Sequence, residues 1–464
     1  MRTTSEQRWV LGLASVGSVM VALDVLVVAA ALTTLRADLG ASAEQLEWTV
    51  NAYGLSFAML LMTAAAIGDR WGRRRTYVAG LALFSVASVA CALATSLPWL
   101  IAARTAQGVG AAVVMPLSMG LLGAAFPPER RGWAIGVFSG VTGLAVLGGP
   151  MIGGAVTEGL AWQWIFWINI PVGALAIPLA LRKIPESTGP TRRLDLIGAG
   201  LITFAVLGLV WGVVQGASAG WSSAEVLGSF AIGVSFLAAF GVWEGRTAHP
   251  MVPLAFFRNR TFTAANTAGF FLSAALFASV FFLAQYMQAV LGSAPFKAGL
   301  QLLPWTATLF IVGPIAGRLV DRVGERPLVV IGMALQTLGM FWISEISSGS
   351  VQYVELVAPL VITGCGISLA LPATQSAGVG ALPREAVGIA SGIYSMTRQV
   401  GGAAGVAVLG SVFASAGGYL GNGFTRALAG CGVLSLLGAL AGLGITARRS
   451  TGGQVVPEAM EEVG

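Results

Sequence analysis

Three ionisable side chains lie far from the ends of long apolar segments. Asp24, Arg104 and Arg398 remain inside these segments after the polar connectors have been assigned. Burying charge at membrane depth is costly, so residues of this kind are candidates for function by default. Their chemistry would be the binding and release of a proton or another cation, or the pairing of opposite charges between helices.

Asp24 is the only acidic residue deep within an apolar segment. It lies about ten residues, or roughly 15 Å along a helix, from the outer end of that segment. A carboxyl group at this depth could load a proton from one side of a membrane and release it on the other as its hydration changes. The alternatives are a carboxylate permanently paired with a buried arginine, or one that caps a kink in the helix.

Arg104 lies about six residues, or roughly 10 Å, from the outer end of its own segment. Because this depth is close to that of Asp24, we expect a charge interaction across neighbouring helices. Such an arginine would modulate proton binding and change partners during a transport cycle. The alternative is that Gln107, Gly108 and Gly110 pack the helix and that backbone carbonyls satisfy Arg104.

A glycine-rich stretch, GVTGLAVLGGPMIGG, occupies residues 140–154. Small residues let helix backbones approach closely, and a proline removes a backbone hydrogen bond and permits a kink. The stretch therefore predicts a tight, bendable contact between two halves of the protein, with simple packing as the alternative. Its candidate hinge residues are Gly140, Gly149, Pro150, Gly153 and Gly154.

Polar and aromatic residues near the outer halves of the apolar segments are candidates for the lining of a substrate cavity. A helix has several faces, so the sequence does not show which of these residues point inward. They are Asn51, Tyr53, Gln285, Tyr286 and Gln288. Arg398 is expected at an interface between helices, where it either couples to transport or holds the interface together.

A short motif occurs twice, as GDRWGRRR at 68–75 and as GRLVDRVGER at 317–326. Both copies place Asp-Arg-x-Gly next to the end of an apolar segment. Ion pairs within this repeat would close a cytoplasmic gate in one state of the protein. Topogenic positive charge is the alternative for the arginines, but it does not explain aspartates at matching positions. The gate candidates are Asp69, Arg70, Gly72, Arg73, Asp321 and Arg322.

The composition is that of a polytopic membrane protein. Of 464 residues, 56% are hydrophobic and 10% are charged, whereas soluble domains carry about 25% charged residues. Fourteen apolar segments are each long enough for a membrane-spanning helix of about 20 residues. They are 9–34, 47–68, 76–95, 98–125, 133–156, 163–181, 196–216, 222–243, 261–290, 296–317, 327–345, 354–374, 386–415 and 423–446.

Positive charge is distributed asymmetrically between the connecting segments. If the N-terminus is cytoplasmic, 21 of the 26 lysines and arginines fall on the cytoplasmic side. Arg36, Lys297 and Arg426 lie on the outer side, and Arg104 and Arg398 lie within the apolar segments. This bias predicts a multi-pass protein of the cell membrane with both termini in the cytoplasm. Because the charge is explained by topology, we expect no nucleic-acid partner.

Catalytic and cofactor chemistry is not indicated. Neither lysine, Lys183 nor Lys297, stands in a phosphate-binding loop. His249 is the only histidine, which argues against histidine catalysis or a metal site. We therefore expect a protein that is not an enzyme, with no metal and no cofactor. A buried carboxyl group such as Asp24 would suit a proton gradient as the energy source.

Taken together, these motifs resemble those of the major facilitator superfamily. GDRWGRRR is similar to the family's loop motif after the second span, LIAARTAQGVGAA to its fourth-span motif, and GVTGLAVLGGPMIGG to the fifth-span motif of its antiporters. ALDVLVVAAAL, WQWIFWINIPVG, PLAFFRNRTF and two additional spans resemble the fourteen-span drug:proton antiporter family. The resemblance covers essentially the whole chain.

The resemblance implies an all-α fold of two six-helix bundles with two inserted transmembrane helices. The corresponding regions are 1–181, the linker with the inserted pair at 182–260, 261–447, and a cytoplasmic tail at 448–464. It further implies a monomeric, proton-coupled exporter of lipophilic small molecules that works by alternating access among membrane lipids. The alternative is a dedicated lipid or metabolite carrier that need not use protons.

Overall fold

The protein is built from long apolar helices. The computed structural model describes residues 3–30, 35, 38–40, 43–159, 161–189, 195–247, 250–347, 351–383, 386–418 and 421–446, and none of these belongs to a β-strand. Within these ranges there are fourteen helices of 15 residues or more. They are α1 (Ser5–Ala30), α2 (Ala43–Trp71), α3 (Arg73–Ala92), α4 (Leu97–Ala125), α5 (Pro128–Gly159), α6 (Asn169–Lys183), α7 (Leu196–Ala219), α8 (Ala224–Arg246), α9 (Arg260–Ala289), α10 (Leu303–Val323), α11 (Glu325–Ile346), α12 (Tyr353–Gly380), α13 (Val387–Ser415) and α14 (Gly423–Gly442).

Twelve helices of the described chain are long and apolar enough to cross a membrane. All of the long helices except α5 and α13 belong to this set, and α6 does so together with the one-turn helix Trp164–Trp167 that precedes it. The protein is therefore a multi-pass membrane protein. Each crossing helix satisfies its backbone N–H and C=O groups with hydrogen bonds inside the helix, because the membrane interior offers no water to replace them.

Two groups of helices have separate hydrophobic cores. Tyr77 and Phe84 belong to a core formed almost entirely by helices α1–α6. Leu272 and Met333 belong to a second core formed by helices α9–α14. We call these groups the N-terminal and C-terminal halves.

The two helices between the halves pack very differently. α7 lies against α2 and α13, so it covers the line along which the halves meet. α8 packs mainly on α7, where a Cβ at Gly208 would lie 2.8 Å from the Cα of Gly233. Leu227, Ile232 and Leu237 of α8 are exposed, as expected for side chains that contact lipid.

Two predicted helix ends differ from the observed ones for the same reason. α2 and α10 continue beyond the predicted ends at 68 and 317, so that Asp69 and Asp321 lie on the last turn of a helix. Each helix then ends at a glycine with positive φ, 106° at Gly72 and 90° at Gly324. Glycine adopts this conformation without the steric cost that a side chain would add. The repeat thus places an aspartate on a helix end and a glycine at the reversal.

The predicted span at 296–317 is also divided. A short helix, Pro295–Gln301, is separated from α10 by Leu302. Pro304 occupies the first turn of α10, a position that proline tolerates because the amide there has no helical acceptor.

Candidate charge pair and transport cavity

Asp24 and Arg104 form a fully buried ion pair between α1 and α4. The Arg104 Nη1 donates to Asp24 Oδ2 and also to Gln107 Oε1, at 2.6 Å. The other carboxylate oxygen, Oδ1, accepts from Gln107 Nε2 at 2.8 Å and from Asn169 Nδ2 at 3.2 Å. Both oxygens of Asp24 therefore face hydrogen-bond donors.

Arg104 also connects α4 to α2. Its Nε donates to the Thr49 carbonyl oxygen at 3.0 Å, and its guanidinium carbon lies 4.2 Å from the centre of the Tyr53 ring. Cation–π contacts of this kind stabilise a buried guanidinium. Tyr53, predicted to line the substrate cavity, thus lies against Arg104, and its hydroxyl donates to the Val21 carbonyl oxygen at 3.4 Å.

Asn169 and Ser88 belong to the pair's surroundings, although neither was among the predicted site residues. Asn169 lies in the WQWIFWINIPVG stretch, and Ser88 lies in none of the motifs. Gln107 and Asn169 donate to Ser88 Oγ at 2.8 and 3.3 Å. Their polarity was a further signal, because polar residues inside apolar spans tend to pair with one another. Gln107, considered above only as a packing residue, bonds directly to both charged partners.

A cavity of about 170 Å³ lies between the two halves. Helices α1, α2, α4 and α5 line it on one side, and α9, α10, α12 and α13 line it on the other. Most of the wall is apolar, with Phe57, Met115 and Phe138 from the N-terminal half and Phe277 and Leu371 from the C-terminal half. Apolar walls with few polar groups are typical of small-molecule sites.

The polar groups of the cavity come mainly from α5, α12 and α13. Ser139 Oγ donates to Gln375 Oε1 at 2.6 Å, which joins the two halves across the cavity. Arg398 also lines the cavity, and its Nε donates to Ser273 Oγ at 3.0 Å. The structure therefore places Arg398 at the interface between the halves and on the wall of the cavity.

The charge pair lies behind the cavity wall and not in the cavity. Val21, Ala22 and Val25 of α1 are lining residues, whereas the Asp24 carboxylate points into the N-terminal half. Because these residues lie within one turn of the same helix, a displacement of Asp24 along or around α1 would move the wall.

The other predicted lining residues lie elsewhere among the described residues. Tyr286 is buried with its ring 5.5 Å from that of Phe424, Gln288 is exposed, and Asn51 and Gln285 are half-buried. None of the five predicted residues is among those that line the cavity in the described part of the chain. On α9 the cavity is lined by Leu276, Phe277 and Val280, which lie farther from the C-terminal end of that helix than the predicted residues do.

The halves also meet at the end of the bundle where α2 and α10 end, which we call the basic face. Asp321 accepts from the backbone amides of Gly132 at 3.1 Å and Trp133 at 3.0 Å in α5. Asp69 lies against Gly388 at the start of α13, where any Cβ would overlap its carboxylate. Each aspartate of the repeat thus contacts the opposite half at the basic face.

The arginines of the repeat do not share one role. Arg73 Nε donates to Asp69 Oδ1 at 2.7 Å, a contact within the N-terminal half that orients the aspartate. Arg70 and Arg322 are exposed. Gly72 supplies the turn between α2 and α3.

A row of glycines brings α5 and α10 together next to the basic face. Gly132, Gly136 and Gly140 face Gly313 and Gly317. A Cβ at Gly136 would lie 2.8 Å from the Gly317 Cα. Spacing of four residues places such glycines on one side of a helix and allows two backbones to touch. Only Gly140 of this row was among the predicted hinge residues.

The remaining hinge candidates lie farther along α5. The helix is continuous from Pro128 to Gly159, and Gly149 and Gly153 are buried in it. Pro150 and Gly154 belong to the same helix, but their surroundings lie outside the described residues.

Gly317→Ala is expected to destabilise the protein by about 1–3 kcal/mol, the usual cost of overpacking. The added methyl group would lie 2.6 Å from the Gly132 carbonyl oxygen and 2.9 Å from the Gly136 Cα. Gly313→Ala, one turn away in α10, is the matched control, because its nearest neighbour would be 3.5 Å away. Thermal unfolding of the solubilised protein measures both, and equal melting temperatures would contradict close packing at this row.

Two helical halves around a cavity, in a multi-pass membrane protein, define a membrane transporter. The chain belongs to the Major Facilitator Superfamily, whose sequence profile matches residues 14–406 and 265–461. This membership indicates a transporter and not an enzyme.

Individual relatives agree with this assignment. The chain is 34% identical over 403 residues to the tetracenomycin C resistance and export protein of Streptomyces glaucescens, covering 86% of this chain and 75% of that protein. It is 36% identical over 407 residues to the multidrug resistance protein Stp of Mycobacterium tuberculosis, covering 86% and 74%. The crystal structure of the human organic anion transporter MFSD10 shares the fold, with a TM-score of 0.68, 16% identity, and coverage of 95% of this chain and 100% of that chain.

Proposed function

We propose that this protein exports lipophilic small molecules, such as drugs, antibiotics or toxic metabolites, in exchange for protons that enter the cell. The observation that carries the proposal is the buried pair of Asp24 and Arg104 directly behind the wall of an apolar cavity. The relatives support the export function, because they are named as resistance and export proteins.

The proton would act by breaking the charge pair. Protonation of either Asp24 oxygen turns an acceptor into a donor that faces other donors, and the Arg104 guanidinium offers no acceptor. The ion pair that joins α1 to α4 would then be lost, while Arg104 keeps its contacts with Gln107 and Thr49. Since Val21 and Val25 of α1 line the cavity, this step changes the substrate site.

Transport proceeds by alternating access in this proposal. The contacts of Asp69 and Asp321 close the basic face in the present state, so the cavity would exchange its contents with the opposite side. Opening requires both aspartates to leave the opposite half, and the row of glycines between α5 and α10 to separate.

The membrane arrangement follows from charge and length. The basic face is cytoplasmic because lysine and arginine collect on that side. α5 and α13, with 32 and 29 residues, exceed the roughly 20 that a crossing requires. With them the chain has fourteen spans in the plasma membrane, six in each of 1–181 and 261–447 and two in 182–260, and both termini are cytoplasmic. The tail, 448–464, lies outside the described residues.

A single chain is sufficient for this mechanism, because its own halves complete the cavity.

The proton gradient provides enough energy for export. One proton that crosses 100 mV provides about 2.3 kcal/mol, and one unit of pH gradient adds about 1.4 kcal/mol. At about 1.4 kcal/mol per tenfold change, these sources sustain a substrate gradient of at least about a hundredfold.

The second candidate is a lipid or metabolite carrier that does not use protons. One observation favours it: both oxygens of Asp24 have partners and neither lies in the cavity, as expected for a permanent structural pair.

Accumulation of tetracenomycin C in an exporter-deficient bacterial strain separates the two candidates. We expect cells that express this chain to accumulate less of the compound than cells with an empty vector, and a protonophore to abolish the difference. A carrier that needs no protons would still equilibrate the compound after the gradient is collapsed. Unchanged accumulation in energised cells, for this compound and for a panel of lipophilic antibiotics, would contradict export.

A further inference from the structure

The cavity between the halves contains a positive charge with no carboxylate beside it among the described residues. The Arg398 guanidinium carbon lies 5.8 Å from the centre of the Tyr394 ring, a contact that carries no negative charge. Among the described residues that line it, Arg398 is the only one that is charged at neutral pH. Its Nε donates to a neutral hydroxyl, that of Ser273. The ion pairs found between described residues lie elsewhere, at Arg73, Arg74, Arg75 and Arg104.

The buried acid of the N-terminal half does not balance this charge. Asp24 forms an ion pair with Arg104, so the pair as a whole contributes no net charge to the cavity. An arginine at membrane depth without a carboxylate partner is unfavourable unless something else supplies the negative charge. The side chain therefore has a cost in the empty protein that a bound anion would relieve.

Further donors surround the same space. Ser139 donates to Gln375 Oε1. Gln375 lines the cavity, and its side-chain NH₂ group is a further hydrogen-bond donor. Gln399 also lines the cavity. The Thr142 hydroxyl is buried without a hydrogen-bond partner among the described residues, although it lies on the cavity wall.

We propose that the cavity selects lipophilic anions, with the apolar body of the ligand against the phenylalanine and methionine side chains and a carboxylate or similar group on Arg398. A guanidinium binds a carboxylate through two parallel hydrogen bonds, which gives both affinity and orientation. This assignment narrows the substrate class of the export function proposed above and depends on it for its physiological meaning. A lipophilic cation would face Arg398, and the described residues that line the cavity include no acidic partner for it.

The volume of the cavity determines which probes are suitable. At about 170 Å³ it is smaller than the roughly 300–1,000 Å³ of most small-molecule sites. A drug-sized substrate therefore requires the halves to separate, whereas a two-ring aromatic acid is a reasonable probe of the closed cavity. We choose 2-naphthoate, its neutral amide 2-naphthamide, and the cation 2-(aminomethyl)naphthalene, which differ mainly in charge.

Calorimetric titration of the purified protein in lipid nanodiscs tests the assignment. We expect 2-naphthoate to bind at least about tenfold more tightly than the amine. Arg398→Gln should weaken 2-naphthoate binding by about ten- to a hundredfold while changing 2-naphthamide binding by less than about threefold, and Arg398→Lys should retain the preference for the anion. Each tenfold step corresponds to about 1.4 kcal/mol. Arg426→Gln, which removes an exposed arginine at the start of α14, is the control for lost charge.

Three results would overturn the assignment. These are tighter binding of the amine than of the carboxylate, unchanged carboxylate binding in Arg398→Gln, and no saturable binding of any of the three probes. The measurement is separate from the export assay in cells. Export of tetracenomycin C that persists beside a cation preference in the titration would remove the anion assignment and leave the proposed function intact.

Discussion

Asp24→Asn and Arg104→Gln are each expected to lower the free energy of unfolding by about 3–5 kcal/mol, because each leaves one charge buried without its partner. The double variant, Asp24→Asn/Arg104→Gln, buries no net charge and should be more stable than either single variant. Both side chains are fully buried, so water cannot replace the missing partner. Thermal unfolding of the four proteins measures the coupling between the two residues.

Transport by the double variant separates a proton carrier from a structural pair. If Asp24 carries the proton, the double variant should remain inactive in proton-driven export even though its stability is restored. Export that returns together with stability would mean that the pair only holds α1 to α4. Asp38→Asn is the matched control, because it neutralises an exposed carboxylate in the same half. Asp38 accepts a hydrogen bond from Trp162, and the asparagine oxygen can accept it as well. It should change stability by less than about 0.5 kcal/mol.

Asp321→Ala is expected to open the basic face. Asp321 accepts two backbone amide hydrogen bonds from the opposite half, and hydrogen bonds to a charged group contribute about 1.5–3 kcal/mol each. Since Asp321 is only half-buried, we take the lower value, about 3 kcal/mol in total. This corresponds to roughly a hundredfold shift in the ratio of open to closed protein.

Double electron–electron resonance spectroscopy, which measures the distance between two spin labels, detects this shift directly. Positions 75 and 322 are exposed on the basic face, one in each half. Asp321→Ala should move the distance distribution toward longer values. Glu325→Gln is the control, because Glu325 accepts from Ser376 within the C-terminal half and does not join the halves. Identical distributions in wild type and Asp321→Ala would contradict a gate that depends on this aspartate.

The distance of each charged residue from the end of its apolar segment was enough to predict the charge pair. Similar depths in neighbouring spans predicted an interaction between Asp24 and Arg104, because charges in a membrane interior need partners. Depth does not give the direction in which a side chain points around its helix. The sequence therefore left open whether Asp24 faces the cavity, and the structure places it behind the wall.

The row of glycines and the lining of the cavity depend on how the helices pack, and the sequence predicts them to different extents. The row Gly132, Gly136 and Gly140 has the spacing of four that predicts close helix contact, so it was available from the sequence. Its partners on α10 were not, because nothing local specifies which helix faces α5. The lining residues of the cavity are set by how eight helices from two halves pack together, and neither residue type nor position along a span determines that arrangement.

The repeat illustrates how a local motif can gain a role from the fold. Asp-Arg-x-Gly specifies a helix end and a reversal at Gly72 and Gly324, where φ is positive. That the two aspartates also contact α13 and α5 follows only from the packing of the halves. The matching positions of the two aspartates in the sequence indicated a shared role, whereas the residues that they contact were known only from the structure.

Proton movement in everted membrane vesicles tests the central claim most directly. After respiration acidifies the vesicle interior, a compound whose accumulation the protein lowers in the cell assay is added, and the internal pH is followed with a fluorescent amine. Protein that exchanges protons for substrate should release protons on addition of the compound, and the double variant Asp24→Asn/Arg104→Gln should release none. Proton release by the double variant equal to that of the wild type would contradict Asp24 as the proton carrier.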